Sequence, residues 1–122
     1  MIIPANEQNL YEFEIFVSGK RKFKKLKGLV DTGSTDCACT YEVITTLHAR
    51  PIDYKKVSTI DNRSKHALVY CGNIEFDGKS ETVPIIRVAT LPEGIQFILG
   101  MSILSKCTLN FNGSNLELKW KE

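Results

Sequence analysis

A stretch of apolar residues that ends in an acid is the feature that most constrains the fold of this chain. Leu29 and Val30 lead into Asp31, and Thr32 and Gly33 follow. The apolar run is typical of a buried strand, and the Thr-Gly pair is typical of a turn. An unpaired carboxylate at the end of such a strand would cost several kcal/mol. Asp31 therefore needs backbone N–H groups of the turn, a cation, or a second carboxylate that shares a proton, and the residues alone leave these alternatives open.

Short strands separated by turns are predicted along most of the chain. Residues 11–17 alternate between apolar and polar side chains, as expected for a strand with one buried face. Residues 57–76 are interpreted as two strands around a polar tip at residues 61–64, and residues 77–80 as a hairpin turn. Further strands are predicted at residues 23–30 and 82–90, at the start of 96–107 before Gly100, and in a closing hairpin at about 107–121. This pattern predicts an all-β, barrel-like domain.

One or two short helices are expected among these strands. Residues 40–49 are compatible with a helix that has Thr40 as its N-cap and ends at Pro51. A second short helix is expected after Gly100.

Length and charge exclude several classes of protein. The 122 residues predict one domain over residues 1–122, and the net charge of +2 is too small to indicate a nucleic-acid or membrane partner. No segment approaches the roughly 20 apolar residues of a membrane-spanning helix. The first residues do not resemble a signal peptide, so we expect a cytoplasmic protein.

Cysteines and basic residues suggest two other functions. The four cysteines form no Cys-x-x-Cys pair, so reduced, mostly buried thiols are favoured over a metal or redox site.

Residues 20–27 carry six basic side chains, which are typical of either a polyanion-binding patch or a solvated hairpin. The hairpin is favoured because a single aromatic residue, Phe23, interrupts the run and no second basic cluster joins it.

Two motifs together resemble the retropepsin-like aspartic proteases. Leu29-Val30-Asp31-Thr32-Gly33-Ser34 is similar to the catalytic motif of that family, and Ile98-Leu99-Gly100 followed by a short helix is similar to its second motif. The resemblance covers residues 10 to 120 approximately. It implies a closed β-barrel of the acid-protease fold that is active as a symmetric homodimer, with no metal or cofactor.

The resemblance also implies roles for individual residues. The chain has a single Asp-Thr-Gly, so the second catalytic carboxylate would be Asp31 of another copy. Thr32 would hydrogen-bond across the dimer, and Gly33 would let the backbone approach the substrate closely. Ser34 would donate a hydrogen bond to the Asp31 carboxylate.

A flap over the substrate is implied as well, formed by a hairpin at about residues 57–72. Further residues are expected to contact an extended peptide: Ser34, Asp36, Ile60, Asp61, Asn62 and Ile98. The chain departs from many retroviral members at two positions. An acid and an arginine in those members are replaced here by Thr35 and Met101, so both halves of an ion pair are missing together.

The predicted function is therefore an aspartic endopeptidase that acts on polypeptide substrates. Two alternatives stay open. One is a module that has the same fold and binds peptides without cleaving them, and the other is a small barrel that binds nucleic acid through residues 20–27.

Overall fold

The computed structural model describes residues 1–20, 22–58 and 64–122, and ten strands and two short helices lie in these ranges. The elements are β1 (Ile2–Pro4), β2 (Glu12–Ser18), β3 (Phe23–Val30), β4 (Cys37–Thr40), α1 (Tyr41–Leu47), β5 (Arg50–Ser58), β6 (Ser64–Phe76), β7 (Lys79–Val88), β8 (Phe97–Leu99), α2 (Met101–Leu104), β9 (Cys107–Asn112) and β10 (Asn115–Trp120). The predicted all-β class with one or two short helices is confirmed.

Six strands close into a barrel. They follow the order β2-β3-β8-β4-β7-β6, and pairing of β2 with β6 closes the ring. Strand β5 lies outside the ring and pairs with β6 alone. A separate antiparallel sheet has the order β1-β10-β9, so the N-terminal strand pairs with the C-terminal one.

Alternation places the apolar side chains of β2 in the barrel. Phe13, Ile15 and Val17 are buried, whereas Glu14 and Phe16 between them are exposed. The bounds of β2 lie one residue later than the predicted 11–17, but the buried side chains are on the predicted face. The alternation of period two determines which face meets the core.

Apolar side chains fill both faces of the sheet. The larger cluster occupies the barrel interior and includes Ile15, Phe97 and Leu99. A smaller cluster joins Leu29, Ala38, Ile95 and Ile98 on the opposite face. Burial on both faces explains why Leu29 and Val30, the two residues before Asp31, are both apolar.

The basic segment lies on the β2–β3 hairpin. Lys25 is 3.6 Å from Glu14, and Lys27 is 3.6 Å from Glu12 across the two strands. Such exposed pairs contribute at most about 1 kcal/mol each. Acidic partners therefore offset part of the positive charge that the sequence concentrates here.

The prediction that Thr40 is the N-cap of α1 is confirmed, whereas the prediction that Pro51 ends the helix is wrong. Thr40 occupies the N-cap position, but its side chain makes no capping hydrogen bond. The helix ends before Pro51, at His48, which has a left-handed φ of 54°, and Pro51 lies in β5. Burial of Val43, Ile44 and Leu47 holds the helix instead, as packing does for most short helices.

Trp120 fixes the C-terminal strand to the barrel. Its ring stacks on Phe76 with a centroid distance of 4.4 Å, and its Nε1–H donates to the Phe76 carbonyl at 2.9 Å. Lys79 Nζ lies 5.0 Å from the centroid of the indole ring. The predicted closing hairpin is thus packed against the turn between β6 and β7.

Within the described ranges, none of the helices has the length and apolar character that crossing a membrane requires.

Candidate active site

Asp31 follows the last residue of β3, where that strand runs parallel to β8. Its N–H donates to the Leu99 carbonyl at 3.1 Å, which continues the pairing of Val30 with Leu99. The Asp31 side chain is half-buried rather than buried. The end of a core strand thus delivers a carboxylate to the surface of the single chain.

The turn after Asp31 supplies the hydrogen bonds that the sequence led us to expect as one alternative. The Gly33 N–H donates to Asp31 Oδ1 at 2.9 Å, and the Ser34 N–H donates to the Asp31 carbonyl at 3.2 Å. A Cβ on Gly33 would lie 3.3 Å from Asp31 Oδ1, closer than most real Cβ contacts. Glycine at this position therefore keeps the carboxylate accessible.

Residues 31–36, which we call the Asp31 loop, are held from behind by the first turn of α2. The Met101 N–H donates to the Ser34 carbonyl at 2.7 Å, and the Ser102 N–H donates to the Thr35 carbonyl at 2.9 Å. These are backbone hydrogen bonds, so they do not depend on the side chains at positions 35 and 101. They fix the loop without the ion pair that many retroviral members have.

Gly100 permits this close contact, and the sequence analysis did not assign it that role. A Cβ at Gly100 would lie 2.2 Å from the Asp36 carbonyl oxygen and 2.9 Å from that of Ser34. The signal in the sequence was a glycine directly after a buried strand, which often marks a close approach of two backbones.

The prediction for the Ser34 side chain is not met in the structure. Its hydroxyl donates to the Asp36 carbonyl at 2.7 Å and not to the Asp31 carboxylate. The loop folds back so that this carbonyl is the acceptor within reach. Ser34 therefore braces the loop in the single chain.

Asp36 faces an open cavity of about 1030 Å³, which we call the cleft, between the Asp31 loop and the β5–β6 hairpin. Its lining includes Gly33, Asp36, Ala38, Lys55 and Val57. Both carboxylate oxygens of Asp36 accept hydrogen bonds from Lys55 Nζ, at 2.9 and 2.8 Å. Lys55 was not among the predicted site residues, because nothing in the sequence links it to a residue 19 positions away.

The other predicted contact residues are placed differently. Ile98 is 6% exposed and packs with Leu29, Ala38 and Ile95, so its side chain does not line the cleft. The reason is the pairing of β8 with β3 and β4, which buries that face of the strand. Ile60, Asp61 and Asn62, predicted at the flap tip, lie outside the described residues. Thr32 is exposed, and its bond to a second copy stays a prediction.

Buried thiols lie directly behind the Asp31 loop. Burial raises the pKa of the Cys39 thiol to about 12, and it raises that of Cys37, whose Sγ lies 3.6 Å from Ser102 Oγ. Both thiols are therefore protonated near neutral pH, and the thiol form is a poor nucleophile and a poor metal ligand. Among the described residues, no group of three or more His, Cys, Asp or Glu side chains could hold a metal ion.

Comparison with known proteins agrees with this geometry. A family model described as aspartyl protease matches residues 16–103. A retropepsin-like aspartic protease from Rickettsia conorii is similar in structure, with a TM-score of 0.78, 22% identity, and coverage of 98% of this chain and 89% of that chain. EIAV protease in complex with the inhibitor HBY-793 is similar as well, with a TM-score of 0.66, 16% identity, and coverage of 82% of this chain and 89% of that chain.

The protease of Simian Foamy Virus (mac) is also similar, with a TM-score of 0.57, 20% identity and coverage of 77% of this chain and 91% of that chain. No curated protein sequence gives a significant match. The structural similarities confirm the predicted retropepsin-like fold.

Proposed function

Because this chain belongs to the aspartyl protease family, we propose that it is an aspartic endopeptidase that hydrolyses peptide bonds in extended polypeptides. The observation that carries the proposal is the Asp31 turn. A half-buried carboxylate stands at the end of a core strand and accepts a hydrogen bond from the Gly33 N–H, and Gly33 itself lines an open cleft. Acid–base hydrolysis of a peptide by carboxyl groups needs such a positioned and accessible acid.

The second carboxylate of the proposed site is Asp31 of another copy, since the chain has one Asp-Thr-Gly. Two carboxylates about 3 Å apart repel by roughly 5 kcal/mol at an effective dielectric constant of about 20. They therefore share one proton, as is established for aspartic proteases in general. A two-fold axis beside the Asp31 loop would bring the two side chains together.

The shared proton gives the two acids different tasks. The ionised carboxylate accepts a proton from a water molecule held between them, and this water attacks the peptide carbonyl. The protonated carboxyl donates to the carbonyl oxygen and stabilises the tetrahedral intermediate. The pair then returns a proton to the leaving amine, so the reaction needs only water and the two acids.

The cleft suits an extended peptide. It lies between the Asp31 loop and the β5–β6 hairpin, and Gly33 leaves the approach to the carboxylate free of a side chain. We expect the peptide to bind by backbone hydrogen bonds, with alternate side chains in pockets. Thr32 is proposed to hold the two loops together, and Ile60, Asp61 and Asn62 to contact the substrate from the hairpin tip.

Replacement of the acid tests this function. Asp31→Asn should lower kcat/KM on a fluorogenic peptide library by at least about 1000-fold, because the amide cannot take up the proton from water. Wild-type cleavage should have a bell-shaped pH profile. Glu93→Gln removes an exposed carboxylate that does not line the cleft and should leave the rate unchanged.

Cleavage by Asp31→Asn at the wild-type rate would contradict the mechanism. If the wild-type protein were dimeric and bound peptides without cleaving them, the non-catalytic peptide-binding module would be the better assignment.

A further inference from the structure

The outer strand of the β5–β6 hairpin is joined to the rest of the sheet through β6. β5 is an edge strand whose ladder hydrogen bonds go to β6. Two of its large apolar side chains, Ile52 and Tyr54, are 55% and 67% exposed, so they contribute little burial that would hold the strand down. Besides the ladder with β6, contacts to the Asp31 loop can therefore contribute to the position of β5 over the cleft.

An ion pair supplies one such contact. Lys55 Nζ lies 2.9 Å from Asp36 Oδ1 and 2.8 Å from Oδ2, so one ammonium group bridges both oxygens. The Lys55 and Asp36 side chains are 47% and 23% exposed. Among the described residues, the hydrogen bonds of Lys55 to Asp36 are the side-chain hydrogen bonds that join the β5–β6 hairpin to the Asp31 loop.

Asp36 is a fixed anchor for this contact. Its carbonyl accepts the Ser34 hydroxyl at 2.7 Å, and the backbone of Gly100 packs directly against it. Residues 34 and 35 are in turn bonded to the first turn of α2. Any movement of the pair must therefore come from the hairpin, because the loop cannot follow.

We propose that Lys55 is a positioning residue, whose ion pair with Asp36 holds the β5–β6 hairpin over the cleft at the distance from Asp31 that an extended peptide requires. This inference rests on the proposed function, because it assumes that peptides bind in the cleft. It adds a residue that acts through the hairpin and not on the reacting atoms.

A different role for the same two charges makes a different prediction. If Lys55 and Asp36 recognised charged side chains of the substrate, their removal would change the preference among acidic, neutral and basic peptides. If they position the hairpin, removal affects all peptides alike, and the loss of either partner has the same effect.

Hydrogen exchange tests the position of the hairpin without turnover. In an Asp31→Asn background, Lys55→Met and Asp36→Asn should each raise the exchange rates of β5 amides about three-fold, as expected for the loss of one partly exposed ion pair. The double variant should be no worse than either single variant. Lys27→Met, which removes a similarly exposed pair with Glu12 on another hairpin, should leave β5 exchange unchanged.

Peptide-cleavage kinetics, measured in protein that keeps Asp31, provide the second measurement. Lys55→Met should raise KM about three-fold with kcat unchanged, equally for peptides that differ only in Glu, Gln or Lys at one position. Lys55→Asp combined with Asp36→Lys should restore KM, because it restores the attraction with the charges reversed.

Unchanged β5 exchange in Lys55→Met, additive effects in the double variant, or a KM change that depends on peptide charge would each overturn the inference. If the variant with Lys55→Asp and Asp36→Lys does not fold, the variant with Lys55→Met and Asp36→Asn tests the inference, since its effect must not exceed that of either single variant. If the wild-type protein cleaves no peptide, the proposed function fails, and the exchange measurement still supports or overturns the role of Lys55.

Discussion

Burial determines the protonation of three cysteine side chains, Cys37, Cys39 and Cys107. Burial raises the pKa of the Cys39 thiol to about 12, and the neighbouring Cys37 adds to the shift. Burial also raises that of Cys107 to about 11, although Lys79 and Lys121 act in the opposite direction. In the unfolded chain these thiols ionise near the ordinary value of about 8.5.

Stability should therefore fall in alkaline solution. Above about pH 8.5 the unfolded chain releases thiol protons that the folded chain keeps, so each raised thiol contributes full stability below that pH and loses it as pH rises. We expect the free energy of unfolding, measured by urea titration, to decrease between about pH 9 and 11 by up to about 1.4 kcal/mol per pH unit for each thiol.

Cys39→Ala is the control for this measurement. The variant is less stable at neutral pH because a buried sulfur is lost, but its stability should depend less on pH over the same range. An equal pH dependence in the variant and the wild-type protein would show that groups other than the Cys39 thiol cause the loss of stability at alkaline pH.

The junction between β8 and α2 is the element that fixes the Asp31 loop. Leu99 accepts the Asp31 N–H, Gly100 packs against the Asp36 carbonyl, and Met101 and Ser102 donate to the loop. The backbone of four consecutive residues thus determines where the carboxylate lies. A side chain at the glycine would push the loop and the junction apart.

Gly100→Ala should therefore destabilise the protein and impair the site together. A Cβ placed 2.2 Å from a backbone oxygen forces a shift, and overpacking of this kind costs about 1–3 kcal/mol. Denaturant unfolding would measure this loss. Met101→Ala, which keeps the same backbone bonds and truncates a side chain that is 38% exposed, should change stability by less than about 0.5 kcal/mol. A Gly100→Ala variant as stable as the wild-type protein would contradict the steric argument.

The whole molecule presents half of the proposed catalytic pair. Within the described residues, the hydrogen bond to the Asp31 carboxylate comes from the Gly33 N–H of the same turn. Asp31 is half-buried in the single chain, so a second copy would be needed to complete the pair and to exclude water from it.

Mixing of subunits tests this assembly. When wild-type protein is equilibrated with an equal amount of Asp31→Asn protein, random pairing leaves about one quarter of the dimers with two acids. Specific activity per wild-type subunit should then fall to about one half, and it should also fall on dilution below the dimer dissociation constant. Sedimentation of the same samples would give that constant. Activity per wild-type subunit that stays constant would indicate that each chain works alone.

Local patterns in the sequence were sufficient for the strands that alternate and for the turns between them. β2, the break at Gly100 and the closing hairpin follow from side-chain period and glycine placement, which act over a few residues. The Asp31 turn was predicted for the same reason, because Gly33 is two residues from the carboxylate that it bonds. The retropepsin-like fold followed from two short motifs in the right order.

The tertiary structure decided what depends on residues far apart in the chain. β1 is defined by its pairing with β10, the burial of Ile98 by the strands beside it, and the ion pair of Lys55 by the return of β5 over residue 36. None of these has a local signature, since each contact forms only when segments far apart in the chain meet. The sequence by itself thus determined which acid stands at the end of which strand, because a strand and the turn after it involve neighbouring residues. Only the tertiary structure decided what surrounds that acid, because the cleft is built from segments far apart in the chain.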